Sequence, residues 1–348
     1  MEEKIRKALK SKKVAEHEGF LRFSEKAGGI PRGTLVVGER VIPGYPKIKR
    51  VFVLERGIER NISSNEFIAE EKIDGYNVRA VMHEKKMLCF SRGGYVDYFA
   101  MEKLEGDPAV LKFFSNNPGW VLCGEMIGNT PHTEPNDFYD VRYYVFDIID
   151  DEGNFLGPIE RRGLCKKYGL LPVTLIGEFK KSEIRKLKDE IRKLDRTGKE
   201  GIVMRGFGPG REMVKYVTPT SDINDLKESS SKIFDMPSGF MKQRVFRSAV
   251  SIRELALPRD RYTRMIGNAL YSGLTNALVK GAVEEKFRVR VKEIATWEKI
   301  LAGMGKEAEV RVDWKRKIPE GYQIEFTKIY KEGTKIMRRA LEGHPQED

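Results

Sequence analysis

Between Phe67 and Val217 the apolar positions recur mainly with the period of strands. The segment NVRAVMHEKKMLCFSR, starting at Asn77, alternates around a polar tip at His83–Lys86 and predicts a β-hairpin. Trp120–Cys123 and Tyr143–Ile149 are continuously apolar, as strands buried on both faces are. The period changes once: Ile184, Leu187, Ile191 and Leu194 recur at helical spacing, with Ser182 placed to cap the start and Gly198 just past the end. Strand patterns return at Ile202–Arg205 and Met213–Val217, joined by the loop GFGPG. Ahead of this region, residues 1–14 read as a helix and 34–56 as short strands broken by Pro43, Gly44 and Pro46. Behind it, the run KESSSK at 227–232 reads as a linker. Helices are expected over 241–256, 260–281 and 284–302, strands over 308–314 and 322–330, and a last helix near 333–342. The pattern predicts an α+β fold with much antiparallel pairing.

Length and composition narrow this picture. A chain of 348 residues suggests two or three domains at roughly 100–200 residues each, with enough core to need no covalent staples. Three cysteines, Cys89, Cys123 and Cys165, lie more than thirty residues apart, so no zinc spacing exists. The odd count and the charged start, without an apolar leader, lead us to expect a reducing, cytoplasmic setting. No run approaches the 18 or so apolar residues of a membrane span. The net charge is +12, and residues 232–348 carry most of the excess, with 24 Lys+Arg against 16 Asp+Glu. Such a balance favours a polyanionic partner, although a merely solvated basic surface would look the same. Abundant Lys, Arg and Glu with scarce Gln fit a thermophilic source.

The candidate chemistry lies in charged groups set into or beside apolar strands. Lys72 follows FIAEE and precedes Asp74-Gly75 and the hairpin. In order come Ser91-Arg92-Gly93-Gly94, Leu122-Cys123-Gly124-Glu125, Tyr144-Val145-Phe146-Asp147, Glu200-Gly201-Ile202-Val203-Met204-Arg205 and Met213-Val214-Lys215-Tyr216. One such group is easily a satisfied ion pair or an exposed turn residue. Uncompensated burial costs several kcal/mol, on the order of 2–7 for a polar group, so six segments along one stretch point to a shared anionic pocket.

This ordered set resembles the covalent nucleotidyltransferases, the polynucleotide ligases and mRNA capping enzymes, over roughly residues 67–217. Within that superfamily EKIDGYNVR is similar to the archaeal ATP-dependent RNA ligases, the homodimeric third RNA-ligase family, and Asn77, five residues past Lys72, matches the RNA ligases. The resemblance implies an antiparallel-sheet nucleotidyltransferase (ATP-grasp-like) core with a small N-terminal module and a helical plus mixed C-terminal region. The expected division is an N-terminal module over 1–60, a nucleotidyltransferase domain over 61–226, a helical dimerisation domain over 232–305 and a basic C-terminal domain over 306–348.

The resemblance further implies a lysyl-AMP intermediate and the joining of 5′-phosphate to 3′-hydroxyl RNA ends, including circularisation of single strands. Lys72 would be the nucleophile, and only a neutral amine can attack. Lys215 would hold the α-phosphate, and Asn77, with Arg79, would act in the RNA-dependent steps. Glu71 or its backbone would read the adenine edge, with Glu70 a less favoured reader. Arg92 would contact ribose or the RNA 5′-phosphate, Phe146 would stack on adenine, Glu125 would bind ribose or metal, and Glu200 would hold the metal, Mg²⁺ or Mn²⁺ brought with ATP. Val217 stands where a second lysine commonly follows Lys215, and helical sequence stands where capping enzymes and many DNA ligases carry an OB-fold. A DNA nick-sealing ligase, a capping-type guanylyltransferase or a non-catalytic nucleic-acid-binding protein are the alternatives.

Overall fold

The structure is a computed structural model and describes residues 13–208, 211–304 and 308–344. The helix expected over 1–14 lies outside the described residues except at its end, where Val14 opens a strand. Strands β1 (Val14–His17), β2 (Phe20–Phe23), β3 (Leu35–Val37) and β4 (Arg40–Ile42) form a small antiparallel sheet in chain order. After β5 (Lys49–Arg50) the chain turns into helix α1 (Leu54–Asn61) rather than continuing as strand to residue 56. Leu54 and Ile58, one helical turn apart, are both buried, and that i, i+4 pair fixes the helix.

The central region runs β6 (Glu66–Lys72), β7 (Tyr76–His83), β8 (Lys86–Ser91), α2 (Tyr98–Glu105), α3 (Pro108–Asn116), β9 (Val121–Gly128), β10 (Val141–Ile149), α4 (Pro158–Tyr168), β11 (Leu175–Lys180), α5 (Ile184–Arg196), β12 (Gly201–Gly206) and β13 (Met213–Val217). Two sheets result, in the orders β11-β6-β12-β13-β5 and β10-β9-β7-β8. Every pair is antiparallel except β13 with β5. The expected hairpin is β7–β8, with Glu84 and Lys85 at φ +48° and +62° in its two-residue turn, the left-handed geometry that matches strand twist. Helix α5 matches its predicted period, but Ser182 is not its cap. A 3₁₀ turn over Lys181–Glu183 precedes it, and Glu183 accepts from the Lys180 amide instead.

In the five-stranded sheet, one face carries Phe67, Ala69, Ile202, Met204, Val214 and Tyr216 into a core closed by Leu187 and Ile191 of α5 and by α1. The alternate positions, Glu70, Lys72, Arg205 and Lys215, therefore face the other way. The four-stranded sheet buries Val78, Leu122 and Met126 against Phe99 of α2 and Phe113 and Phe114 of α3. Burying each such side chain contributes roughly 1.5–3 kcal/mol. The polar faces of the two sheets are thus left looking at each other across a cleft.

The C-terminal part comprises α6 (Pro219–Ser230), α7 (Phe240–Glu254), α8 (Arg259–Lys280), β14 (Glu284–Val291), α9 (Ile294–Met304), β15 (Glu309–Ile318), β16 (Gly321–Ile329) and α10 (Lys331–Leu341). Two expectations are corrected here. The linker at 227–232 is in large part the last turn of α6: Ser230 is buried and donates to the Ala269 carbonyl of α8 at 3.1 Å, and a Cβ on Gly273 would overlap Ser230 Oγ. Serines that look like linker composition are small contacts between two helices. The helix expected over 284–302 begins only at Ile294, because Phe287, Val289 and Val291 alternate with charged residues and pair with β16. The resulting sheet, β14-β16-β15, joins segments on both sides of residue 305.

Candidate active site

Lys72 is the last residue of β6, and the register pairs it with Gly201 of β12. That places its amine against Glu200, which it contacts through Oε2, with both side chains about four-fifths or more buried. Burial pushes the amine's pKa down, but Glu200, Glu125 and Asp74 outweigh it and hold it above the ordinary lysine value. Lys215, one strand further along the same face, responds in the opposite sense: burial, then Lys72 and Arg50, push it down to about 8. Burial pushes Glu125 up to about 7, helped by Glu200 and Asp74 against the pull of Lys72. Burial and Asp74 do the same to Glu200, again to about 7. Three groups titrating between about 7 and 8 in one cleft mark a site built for proton and phosphate chemistry.

The opposite wall comes from β7 and β9, which pair Asn77 directly with Glu125. Asn77 Oδ1 is buried and has no hydrogen-bond partner among the described residues, which in a native cleft points to a donor supplied by a ligand. Gly75 makes the turn between Lys72 and Asn77 feasible. A Cβ there would lie 2.4 Å from both Ile127 Cγ2 and the Met126 carbonyl oxygen. Arg92 sits exposed on the rim, near the Pro46 carbonyl at 3.4 Å, and its charge acts on both Glu125 and Lys215.

The charged strand residues do not all share this pocket. Glu70 and Asp147 belong to a buried ion cluster that ties the two sheets together. Arg205 of β12 reaches Glu70 at 3.1 Å, Asp147 Oδ1 at 2.9 Å and the Phe146 carbonyl at 2.8 Å. Arg161 of α4 contacts Glu70 and the same carbonyl, and Arg211 and Tyr45 contact Asp147. Burial raises the Asp147 pKa, but the three guanidiniums outweigh it and hold the group below the usual carboxylate range. Buried pairs of this kind add specificity more than stability, and here they have a local purpose. Phe146 sits at a bulge in β10, where the register slips between Val145 and Asp147. Its carbonyl is taken by Arg161 and Arg205, and its half-buried ring stands edge-on to Tyr45 at 5.0 Å. Bulges beside active sites commonly re-aim a side chain in this way.

Two other side chains named from the sequence stand apart from the Lys72 cluster. Glu71 lies on the face of β6 opposite Lys72 and pairs with Lys199 at 2.9 Å, so its side chain does not join the cluster. Arg79 is fully buried and donates to the carbonyls of Pro43, Gly33 and Ser91 at 2.5–3.1 Å, clamping the N-terminal module onto β7. The residues that sequence reasoning missed are Tyr45, Arg161 and the pair Arg50–Asp222 at 3.2 Å, which lie outside the six segments that carry the resemblance.

Glu125 and Glu200 are hard oxygen donors of the type a magnesium or manganese ion takes. No group of three or more His, Cys, Asp or Glu among the described residues is placed to hold an ion unaided. The donor set therefore fits an ion that arrives with nucleotide phosphates rather than one held in an all-protein cage.

The raised carboxyl of Glu125 has a stability consequence. A carboxyl with a folded pKa of about 7 against an ordinary 4.5 contributes its full stability below about 4.5 and loses it as pH rises through about 7. Glu125→Gln removes that loss. Its unfolding free energy relative to wild type is expected to rise by on the order of 2–3 kcal/mol between pH 5 and pH 8, read from thermal unfolding of the ligand-free protein. No widening with pH would contradict the assignment.

The comparisons with known proteins agree with this geometry. The RNA ligase family model matches residues 65–217, and that of the Ligase Pab1020 C-terminal region matches 229–344. The chain belongs to the RNA ligase family. It is an ATP-dependent ligase, with the mixed helix and antiparallel-sheet fold of archaeal ATP-dependent RNA ligases. A solved archaeal ATP-dependent RNA ligase superimposes with a TM-score of 0.90 at 25% identity, covering 99% of this chain and 96% of that one. An Aquifex aeolicus protein, provisionally assigned as an ATP-dependent DNA ligase, matches with a TM-score of 0.91 at 28% identity over 100% of both chains. An uncharacterized protein of Methanocaldococcus jannaschii is 29% identical over 296 residues, 81% of this chain and 74% of that protein. No helix among the described residues is long and apolar enough to cross a membrane.

Proposed function

We propose that the protein seals RNA, joining a 5′-phosphate to a 3′-hydroxyl through AMP carried on Lys72. The observation that carries this reading is the grouping of Lys72, Glu200, Glu125 and Lys215 on facing strands, with Asn77 Oδ1 left unsatisfied between them. Glu200 contacts the Lys72 amine, and the amine's proton passes to solvent before attack. The neutral amine then attacks the α-phosphorus of ATP, the N–P bond forms, and the bond to pyrophosphate breaks. Lys215 faces the α-phosphate and Phe146 the adenine. A divalent ion held by Glu200 and Glu125 would supply charge neutralisation on the phosphate oxygens. An ion engaging those carboxylates would weaken what holds the Lys72 pKa up. In the second step a 5′-phosphate oxygen of RNA attacks the same phosphorus and frees the amine. In the third the 3′-hydroxyl attacks the 5′-phosphorus and AMP leaves. When both ends belong to one strand the product is a circle.

The Aquifex relative makes DNA nick sealing a second reading. Incubation with ATP and either 5′-phosphorylated single-stranded RNA or nicked duplex DNA separates the two. Joined and circular RNA is the expected product, and efficient sealing of DNA with none of RNA would overturn the reading. The helical stretch after residue 232 is further proposed to pair two copies, since two-fold dimers are the commonest closed assemblies. Light scattering at micromolar concentration is expected to give about twice the 39.9 kDa chain mass. A monomer at every accessible concentration would refute the dimer and leave the chemistry untouched.

A further inference from the structure

The three-stranded C-terminal sheet has one face in the core and one in solvent. Phe287, Val289 and Val291 of β14 and Ile324 and Phe326 of β16 are buried, and Phe326 meets Trp297 of α9. The register lays the alternate residues side by side in three rows across β14, β16 and β15: Lys286, Thr327 and Arg311; Arg288, Glu325 and Trp314; Arg290, Gln323 and Arg316. The middle row satisfies itself, because Glu325 accepts from Arg288 at 2.8 Å and from the Trp314 indole at 3.0 Å. Arg288 also reaches Asp137 at 2.6 Å. Asp313, at the β15 bulge, accepts from Thr327 at 2.6 Å and Arg311 at 3.1 Å. The carboxylates of this face are thereby occupied.

A surplus of positive charge remains. Lys286 and Arg316 are exposed and have no carboxylate at ion-pair distance among the described residues, and Arg290 reaches Asp140 only at 4.0 Å. Trp314 is half-buried among them, with the Arg316 guanidinium 5.2 Å from its ring. Edge strands, here both β14 and β15, carry cations simply to block pairing, but edge protection does not require an indole between the two columns. Backbone-tracking cations interleaved with an aromatic platform are what single-stranded nucleic acid binds. The face also leads to the catalytic cleft. Lys286 lines a cavity of about 820 Å³ that Asp74 and Gly75, just past Lys72, line as well.

We infer that this sheet face docks the RNA substrate outside the catalytic cleft, gripping phosphates with Lys286, Arg290 and Arg316 and stacking a base on Trp314. The inference rests on the reading that the substrate is RNA. It is tested by fluorescence anisotropy with labelled 5′-phosphorylated single-stranded RNA at salt from about 50 to 400 mM. Wild type is compared with a triple variant carrying Lys286→Ala, Arg290→Ala and Arg316→Ala, and with Lys286→Glu. Each phosphate contact contributes about 0.7 to the slope of log affinity against log salt, so the triple variant should lose about 2 from that slope and bind on the order of tenfold or more weaker. Lys286→Glu should weaken binding in the same direction, and loading of AMP onto Lys72 should be unchanged in both. Wild-type slope and affinity in the triple variant, with RNA sealing intact, would overturn the docking surface alone. A changed oligomeric state with an unchanged slope would also overturn it, marking the face as a contact between copies. Wild-type protein that seals nicked DNA and neither binds nor seals RNA would overturn the functional reading on which the inference depends.

Discussion

Lys72→Arg is expected to lose covalent uptake of the α-phosphate of ATP by at least about a thousandfold, a barrier increase of ~4 kcal/mol. Arginine keeps the positive charge beside Glu200, so the fold and the ion pair survive. It cannot supply the neutral nitrogen, because the guanidinium stays protonated across the working range. Circular dichroism and thermal unfolding of the variant should match wild type. Wild-type uptake should itself rise with pH between 6 and 8, since the carboxylates hold the amine above the ordinary lysine value and its neutral fraction grows about tenfold per pH unit below that value. Metal-dependent AMP label on the arginine variant at wild-type yield would remove Lys72 from its role.

Asn77→Ala is expected to separate the steps. Its side-chain oxygen is buried opposite Glu125 with no partner among the described residues, so no structural hydrogen bond is lost on truncation. Stability should hold or rise slightly, because an unsatisfied buried polar atom has been removed. If the amide meets the RNA end, Lys72 adenylation persists while sealing of 5′-phosphorylated RNA falls. Losing one hydrogen bond that strengthens in the transition state, of ~3 kcal/mol, costs roughly a hundredfold in rate. Pre-adenylated RNA supplied to unloaded enzyme isolates the last step. Unimpaired sealing by the variant would end the proposed role.

The architecture around Lys72 was legible in the sequence where local pattern and tertiary need coincide. Alternation around His83–Lys86 does define β7–β8, and the embedded charges of β6, β9, β12 and β13 do come together. Sequence alone could not tell a pocket charge from a bridging one. Asp147 and Glu125 both read as carboxylates in apolar strands. Only the arrival of Arg161, Arg205 and Arg211 from other elements makes the first a structural ion and leaves the second in the cleft. Glu71 and Lys72 are neighbours in sequence and sit on opposite faces, a consequence of the strand period that a motif reading passes over. In the C-terminal part the errors share another cause. Short apolar alternation over Phe287–Val291 fits helical spacing nearly as well, and the serines of α6 look like linker until α8 is packed against them.

The central claim is that one lysine carries AMP from ATP to RNA. Its most direct measurement is to load the protein with α-labelled ATP and a divalent metal, map the labelled peptide by mass spectrometry, and chase the purified adduct with 5′-phosphorylated RNA in the absence of ATP. The expected result is a single AMP on Lys72 that leaves the protein on adding RNA and appears first on its 5′ end, then as free AMP with joined product. AMP on another residue, or an adduct on Lys72 that RNA does not discharge, would contradict the account.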